Sequence, residues 1–210
     1  MGIRSDLLAA TRRTLCETAM QLFVERGLAA TKVEDILRGS GVSVGSFYYL
    51  FKNKLDLAAN LYVETQLNFY QSLLQEISQY QEAREGVEAL VRAYLRWASE
   101  HPQETYYLLY RREVEIIEIA DEQGKASERD FHQRLHEWLQ PRIMNESIQP
   151  FPHEQCMALW LGPTMYLVRL ILAPYGSYLA PSQHELQEQL LTVEKRMATA
   201  AWQALHTHHI

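Results

Sequence analysis

The chain has 210 residues, 47% of them hydrophobic and 22% charged, with a net charge of −6. That composition excludes a disordered, collagen-like or disulfide-stapled chain and leaves room for one large or two small folded domains. The two cysteines, Cys16 and Cys156, have neither metal-ligand nor framework spacing, which suits a reducing cytoplasm.

Helical periodicity runs through nearly all of the sequence, with no persuasive strand alternation, repeat or low-complexity tract. A first helix is expected over 5–26, with Leu8, Leu15, Ala19, Leu22 and Phe23 on one face and Gly27 as its C-cap. Thr31 and Glu34 then have the spacing of a capping box, opening a short helix with Val33, Ile36 and Leu37 on one face. Gly39 and Gly41 break it, and Gly41 can supply a positive φ for a sharp turn. Ser43 is a good N-cap for the next helix. In that helix Phe47, Leu50 and Phe51 are expected to pack inward, leaving Val44, Gly45, Ser46, Tyr48 and Tyr49 outside.

Two short helices around a tight turn make a helix-turn-helix, whose second helix enters the major groove. Small residues at its start let it approach base edges, and helix N-terminal amides suit phosphate oxygens. Tyr48, Tyr49, Lys52 and Lys54 could flank the groove. Read from composition alone, the segment also fits an ordinary helical hairpin with surface tyrosines. The charge divides in favour of a DNA reader. Residues 1–54 hold 8 Lys and Arg against 5 Asp and Glu, a net +3, whereas residues 55–210 hold 12 against 21, a net −9. So modest a positive charge implies that two copies act together.

The stretch Ile36-Leu-Arg-Gly-Ser-Gly41-Val42-Ser43-Val-Gly45-Ser46-Phe47-Tyr48-Tyr-Leu-Phe51-Lys-Asn-Lys54-Leu-Asp-Leu57 keeps a known register of glycines, serine, tyrosine, phenylalanine and lysine. In it, residues 10–57 resemble the N-terminal domain of the TetR/AcrR family of transcriptional regulators. Leu37 and Ser40 replace small alanines. Leu50 stands where many relatives have a phosphate-contacting histidine, and Tyr49 or Lys52 would take over that contact. Val44 occupies the variable position that helps set sequence preference. An apolar side chain there suits a thymine methyl. The resemblance implies DNA contacts from Thr31, Lys32, Ser43, Val44, Gly45, Ser46, Tyr48, Tyr49, Lys52 and Lys54.

Further helices are expected over 54–81, 84–99, 105–120, 127–140 (stopped by Pro141), 153–172 and 181–206. The first of these joins the reader stiffly to the rest. The expected architecture is therefore all-α. An N-terminal three-helix helix-turn-helix DNA-binding domain (1–54) connects through a long helix to a C-terminal helical ligand-binding and dimerisation domain (55–210). The resemblance implies that this second domain senses a small-molecule effector and pairs with a twin subunit.

Candidates for an aromatic-lined pocket are Trp97, Tyr106, Tyr107, Tyr110, Phe131, Trp138, Trp160 and Tyr166, with Arg111, Arg112, Glu113 and His132 as polar partners. Any one of these rings also fits a place in plain core. His132 and His136 stand four apart without a third ligand nearby, so no metal is expected. No cofactor is expected. His206, His208 and His209 read as a frayed tail. Apolar stripes containing Met157, Trp160, Leu161, Met165, Val168 and Leu172, then Leu186, Leu190, Leu191, Val193 and Met197, suggest a symmetric homodimer face, with Gly162 permitting close approach.

No Gly-rich phosphate loop, nucleophile elbow, metalloprotease motif or paired-carboxylate arrangement points to an enzyme. A protein–protein adaptor with a helix-turn-helix shape is the remaining alternative. The apolar uncharged stretch Gln155 to Val168 has 14 residues, too few for a bilayer span. No signal peptide opens the chain, and Asp6 stands where a myristoylation signal wants Ser or Thr, so no membrane partner is expected. The sequence thus predicts a cytoplasmic, homodimeric regulator, most simply a repressor released from a palindromic double-stranded DNA operator by its effector.

Overall fold

The computed structural model describes residues 3–111, 114–175 and 181–207. The described residues form ten α-helices. The expected Arg112, Glu113, His208 and His209 lie outside them.

Helix α1 (Ile3–Ala30) buries Leu15, Ala19 and Phe23, one residue per turn on a single face. It kinks at Gly27, whose φ of 80° and ψ of 165° an L-residue would adopt only under strain. Helix α2 (Val33–Ser40) buries Ile36 and ends on Gly41 at φ 66°, as the turn demanded. Its start differs from the expected capping box. Thr31 is fully buried and its hydroxyl donates to the carbonyls of Gly27 (2.8 Å) and Leu22 (3.3 Å). Lys32 takes the N-cap position instead, with its backbone N–H donating to Asp35 Oδ2 at 3.3 Å. Thr31 belongs inside because the α1 kink leaves carbonyls to be satisfied there. Helix α3 (Val44–Leu50) is capped by Ser43, whose Oγ accepts the Ser46 N–H at 3.2 Å.

Helix α4 (Lys54–Ile77) is capped by Asn53, which accepts the Asp56 N–H at 2.9 Å. It runs from the hairpin into the bundle, where it packs chiefly on α7 (Val114–Met144) and on α5 (Ala83–Glu100). Short α6 (Pro102–Tyr110) lies between the bundle and α1. Sequence reading placed 105–120 in one helix and stopped the next at Pro141. The structure corrects both: the first ends at Tyr110, and α7 passes through Pro141 to Met144. Pro141 is exposed and sits in the last turns, where the lost amide bond leaves a carbonyl to solvent.

The stretch 153–172 is likewise two helices, α8 (His153–Trp160) and α9 (Gly162–Leu172), bent by 46° where Gly162 and Pro163 interrupt the backbone ladder. Helix α10 (Gln183–Leu205) starts with a Ser182–Glu185 capping box and packs along α5. Among the described residues no single helix is long and apolar enough to cross a membrane.

Candidate nucleic-acid interface and ligand cavity

The α2–α3 hairpin has one face sealed and one open. Phe47 and Phe51 are buried against α1, and their rings lie 6.1 Å apart. On the other side Val44 (58%), Tyr48 (56%) and Tyr49 (76%) are largely exposed, as are Ser43 and Gly45. Nothing lies within 4 Å of the position a Cβ would take on Gly45, so α3 begins with open space. Ser46 is half-buried and its hydroxyl meets Ser43 Oγ at 2.9 Å. Lys32 and Lys52 are exposed, and among the described residues neither ammonium is in an ion pair.

Two of the expected contact residues sit elsewhere. Thr31 is sealed in the core, as described above. Lys54 turns inward: its Nζ donates to the carbonyls of Leu28 and Thr31, both at 2.6 Å. It ties the start of α4 to the end of α1 and so fixes the hairpin's orientation. Arg38 is also engaged, in an ion pair with Asp35.

A cavity of about 350 Å³ opens within the bundle, at the small end of ligand-pocket sizes. α4 contributes Tyr62, Gln66, Phe69, Tyr70 and Leu73, and α5 contributes Tyr94 and Trp97. α6 adds Thr105, Leu108 and Leu109, while α7 adds Glu128, Phe131 and His132. The α8–α9 elbow closes it with Met157, Leu161, Gly162 and Met165 among others. Tyr70 and Phe131 stack 4.3 Å apart across one wall.

Of the expected pocket residues that the structure describes, Trp97, Phe131 and His132 line the cavity and the others do not. Tyr107 is fully buried, with its hydroxyl donating to Ala58 O at 2.9 Å. Tyr106 is buried too and stacks on Tyr110. The Tyr110 hydroxyl donates to Arg169 O at 2.5 Å. Trp138 donates Nε1–H to Tyr80 O at 3.1 Å and lies beneath the Arg142 guanidinium, 3.6 Å away. Trp160 is fully buried and donates to Val87 O, whereas Tyr166 is 65% exposed on the bundle surface.

Arg111 has a different task from the expected one. Its Nε and Nη2 donate to the carbonyls of Phe23 and Val24, both at 3.0 Å, clamping the kinked end of α1. Sequence reading missed Tyr62, Gln66, Phe69, Tyr70 and Leu73. The signal was present, because these residues recur on one face of α4 at helical spacing.

The expected dimer residues divide similarly. Val168 and Leu190 are buried in the chain's own core, and so are Trp160, Leu172 and Leu186. They face the core because α9 and α10 must cover α5 and α8. Met157, Leu161 and Met165 line the cavity, and Met197 is half-buried against the core. The exposed apolar residues on these helices are Leu159, Met165, Tyr166, Leu170 and Leu191.

His153, the first residue of α8, has Nε2 3.0 Å from His132 Nδ1. His136 pairs with Gln140 at 3.0 Å. Among the described residues no group of three or more His, Cys, Asp or Glu side chains could hold a metal ion. Burial, then the neighbouring His132 and His136, holds the His153 pKa below its ordinary 6.5. The fold therefore favours neutral His153. Its contribution to stability is complete above pH 6.5 and is lost as acid protonates the unfolded chain preferentially. Thermal unfolding followed from pH 7.5 to 5.5 should show a fall in Tm that is shallower in His153→Gln. Burial also pushes the thiols of Cys16 and Cys156 up to about 11, leaving both protonated at neutral pH.

Comparison with known proteins agrees with this geometry. Residues 15–61 match the family model of bacterial regulatory proteins, tetR family. The chain is 31% identical over 58 residues to the HTH-type transcriptional regulator AcrR of Shigella flexneri, 28% of this chain and 27% of that protein. It is 44% identical over 50 residues to the HTH-type transcriptional repressor KstR2 of Mycobacterium tuberculosis, 24% of this chain and 25% of that protein. The matched stretches thus span about a quarter of the length of these curated relatives. Beyond them the likeness is one of fold. The structure of the transcriptional regulator FadR from Bacillus subtilis in complex with stearoyl-CoA superposes with a TM-score of 0.72 at 16% identity, covering 92% of this chain and 99% of that one.

A helix-turn-helix with an exposed second helix, standing on an all-helical bundle, defines a DNA-binding transcriptional regulator. Its residues 15–61 are similar to the helix-turn-helix domain of the TetR family, and the whole chain shares the fold of such regulators.

Proposed function

We propose that this protein is a homodimeric repressor that binds a palindromic operator and is released from it by a small molecule held in the bundle cavity. The observation that carries the reading is α3 itself, whose Val44, Tyr48 and Tyr49 stand exposed while Phe47 and Phe51 anchor it from behind. On this reading residues 1–54 are the reader, and 55–210 bind the effector and the twin subunit. Ser43, Val44, Gly45, Ser46, Tyr48 and Tyr49 face the duplex, with Lys32 and Lys52 on its phosphates. The protein works in the cytoplasm.

The relatives support the effector step: KstR2 is a transcriptional repressor, and the FadR structure is a complex with stearoyl-CoA. Two exposed residues one turn apart, Tyr166 and Leu170, join Leu159 and Leu191 in an apolar surface suited to a two-fold partner. Leu170→Glu should yield a monomer by light scattering, with unchanged helix content. A dimer that persists would move the interface elsewhere.

Selection of bound duplexes from a random library by the purified protein tests the DNA reading. The expected product is a palindrome with half-sites about one helical turn or more apart. Against that operator, Val44→Ala and Tyr48→Phe should each weaken binding by roughly three- to thirtyfold while leaving dimerisation intact. Unchanged affinity in both would count heavily against α3 as the reader.

A further inference from the structure

The cavity lining carries a single carboxylate, Glu128, and that residue is exposed at the mouth. Among the described residues that line it there is no Lys or Arg. Glu128 and His132 also line an outer vestibule shared with Lys125, Arg129, His153 and Glu154. The Tyr94 phenol faces the cavity, and burial drives its pKa well above the ordinary range, so it stays neutral. An anionic or cationic group carried past the vestibule would lose its water without gaining a counter-charge.

Two polar groups on that wall have hydrogen-bonding capacity to spare: the Trp97 indole N–H, buried with no partner among the described residues, and the Gln66 amide, which can offer two donors. Gln66 is 7% exposed and lies among Tyr62, Phe69 and Tyr70. Its Oε1 is 3.0 Å from the Ser127 hydroxyl, which also reaches Gly124 O at 2.8 Å. Its Nε2 has only a long contact of 3.5 Å to the Tyr70 hydroxyl. The Thr105 hydroxyl has committed its proton to His101 O at 2.8 Å. A primary amide has two N–H donors, and a long contact uses at most one of them.

We infer that the effector is an uncharged, mainly apolar molecule with a hydroxyl or carbonyl oxygen, and that the Gln66 amide receives this oxygen. The inference rests on the cavity being the effector site. It separates this protein from a regulator of CoA thioesters, because the phosphates of such a ligand would meet only a vestibule of mixed charge. The aromatic walls hold the apolar body, and Gln66 selects the polar end.

The test is displacement of N-phenylnaphthylamine, a neutral fluorescent probe, from the full-length protein by ligands that share one alkyl tail. Dodecanol and methyl decyl ketone should displace it at concentrations about tenfold lower than dodecanoate, dodecyltrimethylammonium or dodecanoyl-CoA. Gln66→Leu should raise the inhibition constants of the alcohol and ketone, each corrected for the variant's own probe affinity, about five- to tenfold and leave that of dodecanoate within twofold, with Ser127 keeping its bond to Gly124. If that variant fails to fold, the head-group order on the unaltered protein still decides. Tightest binding by dodecanoate or the CoA thioester, or equal binding by every head group, overturns the inference and leaves the effector site standing. No probe binding by a folded protein overturns both.

Discussion

Gly86→Ala is expected to lower the melting temperature by roughly 5–10 °C, corresponding to about 2–3 kcal/mol. In an ordinary helix interior the same change would stabilise by roughly 0.5–1 kcal/mol, so the sign of the result is informative. Here the Trp138 indole, carried by α7, lies so close to α5 that a Cβ on Gly86 would stand 2.1 Å from Trp138 Cζ2 and 2.7 Å from Cη2. The indole cannot swing aside cheaply. Its N–H is bonded to Tyr80 O, Arg142 covers one face, and Trp160 is 5.7 Å away. Arg142 itself donates to the carbonyls of Tyr80 (3.1 Å) and Gln81 (2.7 Å), so the whole corner is fixed. Pairing Gly86→Ala with Trp138→Leu should restore much of the loss. A melting temperature that rises in the single variant would mean that the indole lies farther from Gly86 than the structure places it.

Lys54→Met should cost about 2–3 kcal/mol at the joint between reader and bundle, because two carbonyls lose a charged donor while the apolar stem is retained. The loss is local. Amide exchange should quicken at the end of α1 and the start of α2, and the bundle should keep its protection. Operator affinity should fall by about tenfold or more, since a hairpin free to swivel must be ordered again on the duplex. Lys54→Arg should rescue poorly, because a planar guanidinium does not place one nitrogen between two converging carbonyls. A Lys54→Met protein with native exchange at the joint would return Lys54 to the role of a phosphate contact.

The sequence made the reader legible almost residue by residue, because local signals determine it. Gly41 at positive φ, the Ser43 cap and the inward Phe47 and Phe51 each follow from short-range geometry. Thr31 and Lys54 were misread for one shared reason. Their partners are carbonyls exposed by a kink at Gly27, and a kink is visible only once the chain has folded back on itself. The cavity was legible in kind and not in detail. Aromatic residues were plentiful, but whether a ring lines a void, as Phe131 does, or plugs the core, as Trp160 does, depends on how α4, α7 and α8 cross. The bend between α8 and α9 was announced by Gly162-Pro163, yet it could be read equally as close packing of one straight helix.

Helix α6 offers Thr105, Leu108 and Leu109 to the cavity, while Tyr107 and, at its end, Arg111 grip α4 and α1. If α6 and α4 couple the cavity to the reader as proposed, reciprocity applies: the factor by which a cavity occupant weakens the operator complex is the factor by which operator DNA weakens the occupant's hold. Promoter-bound copies would therefore respond at higher effector concentrations than free ones. The threshold for induction would then depend on how much operator the cell contains as well as on how tightly the cavity closes.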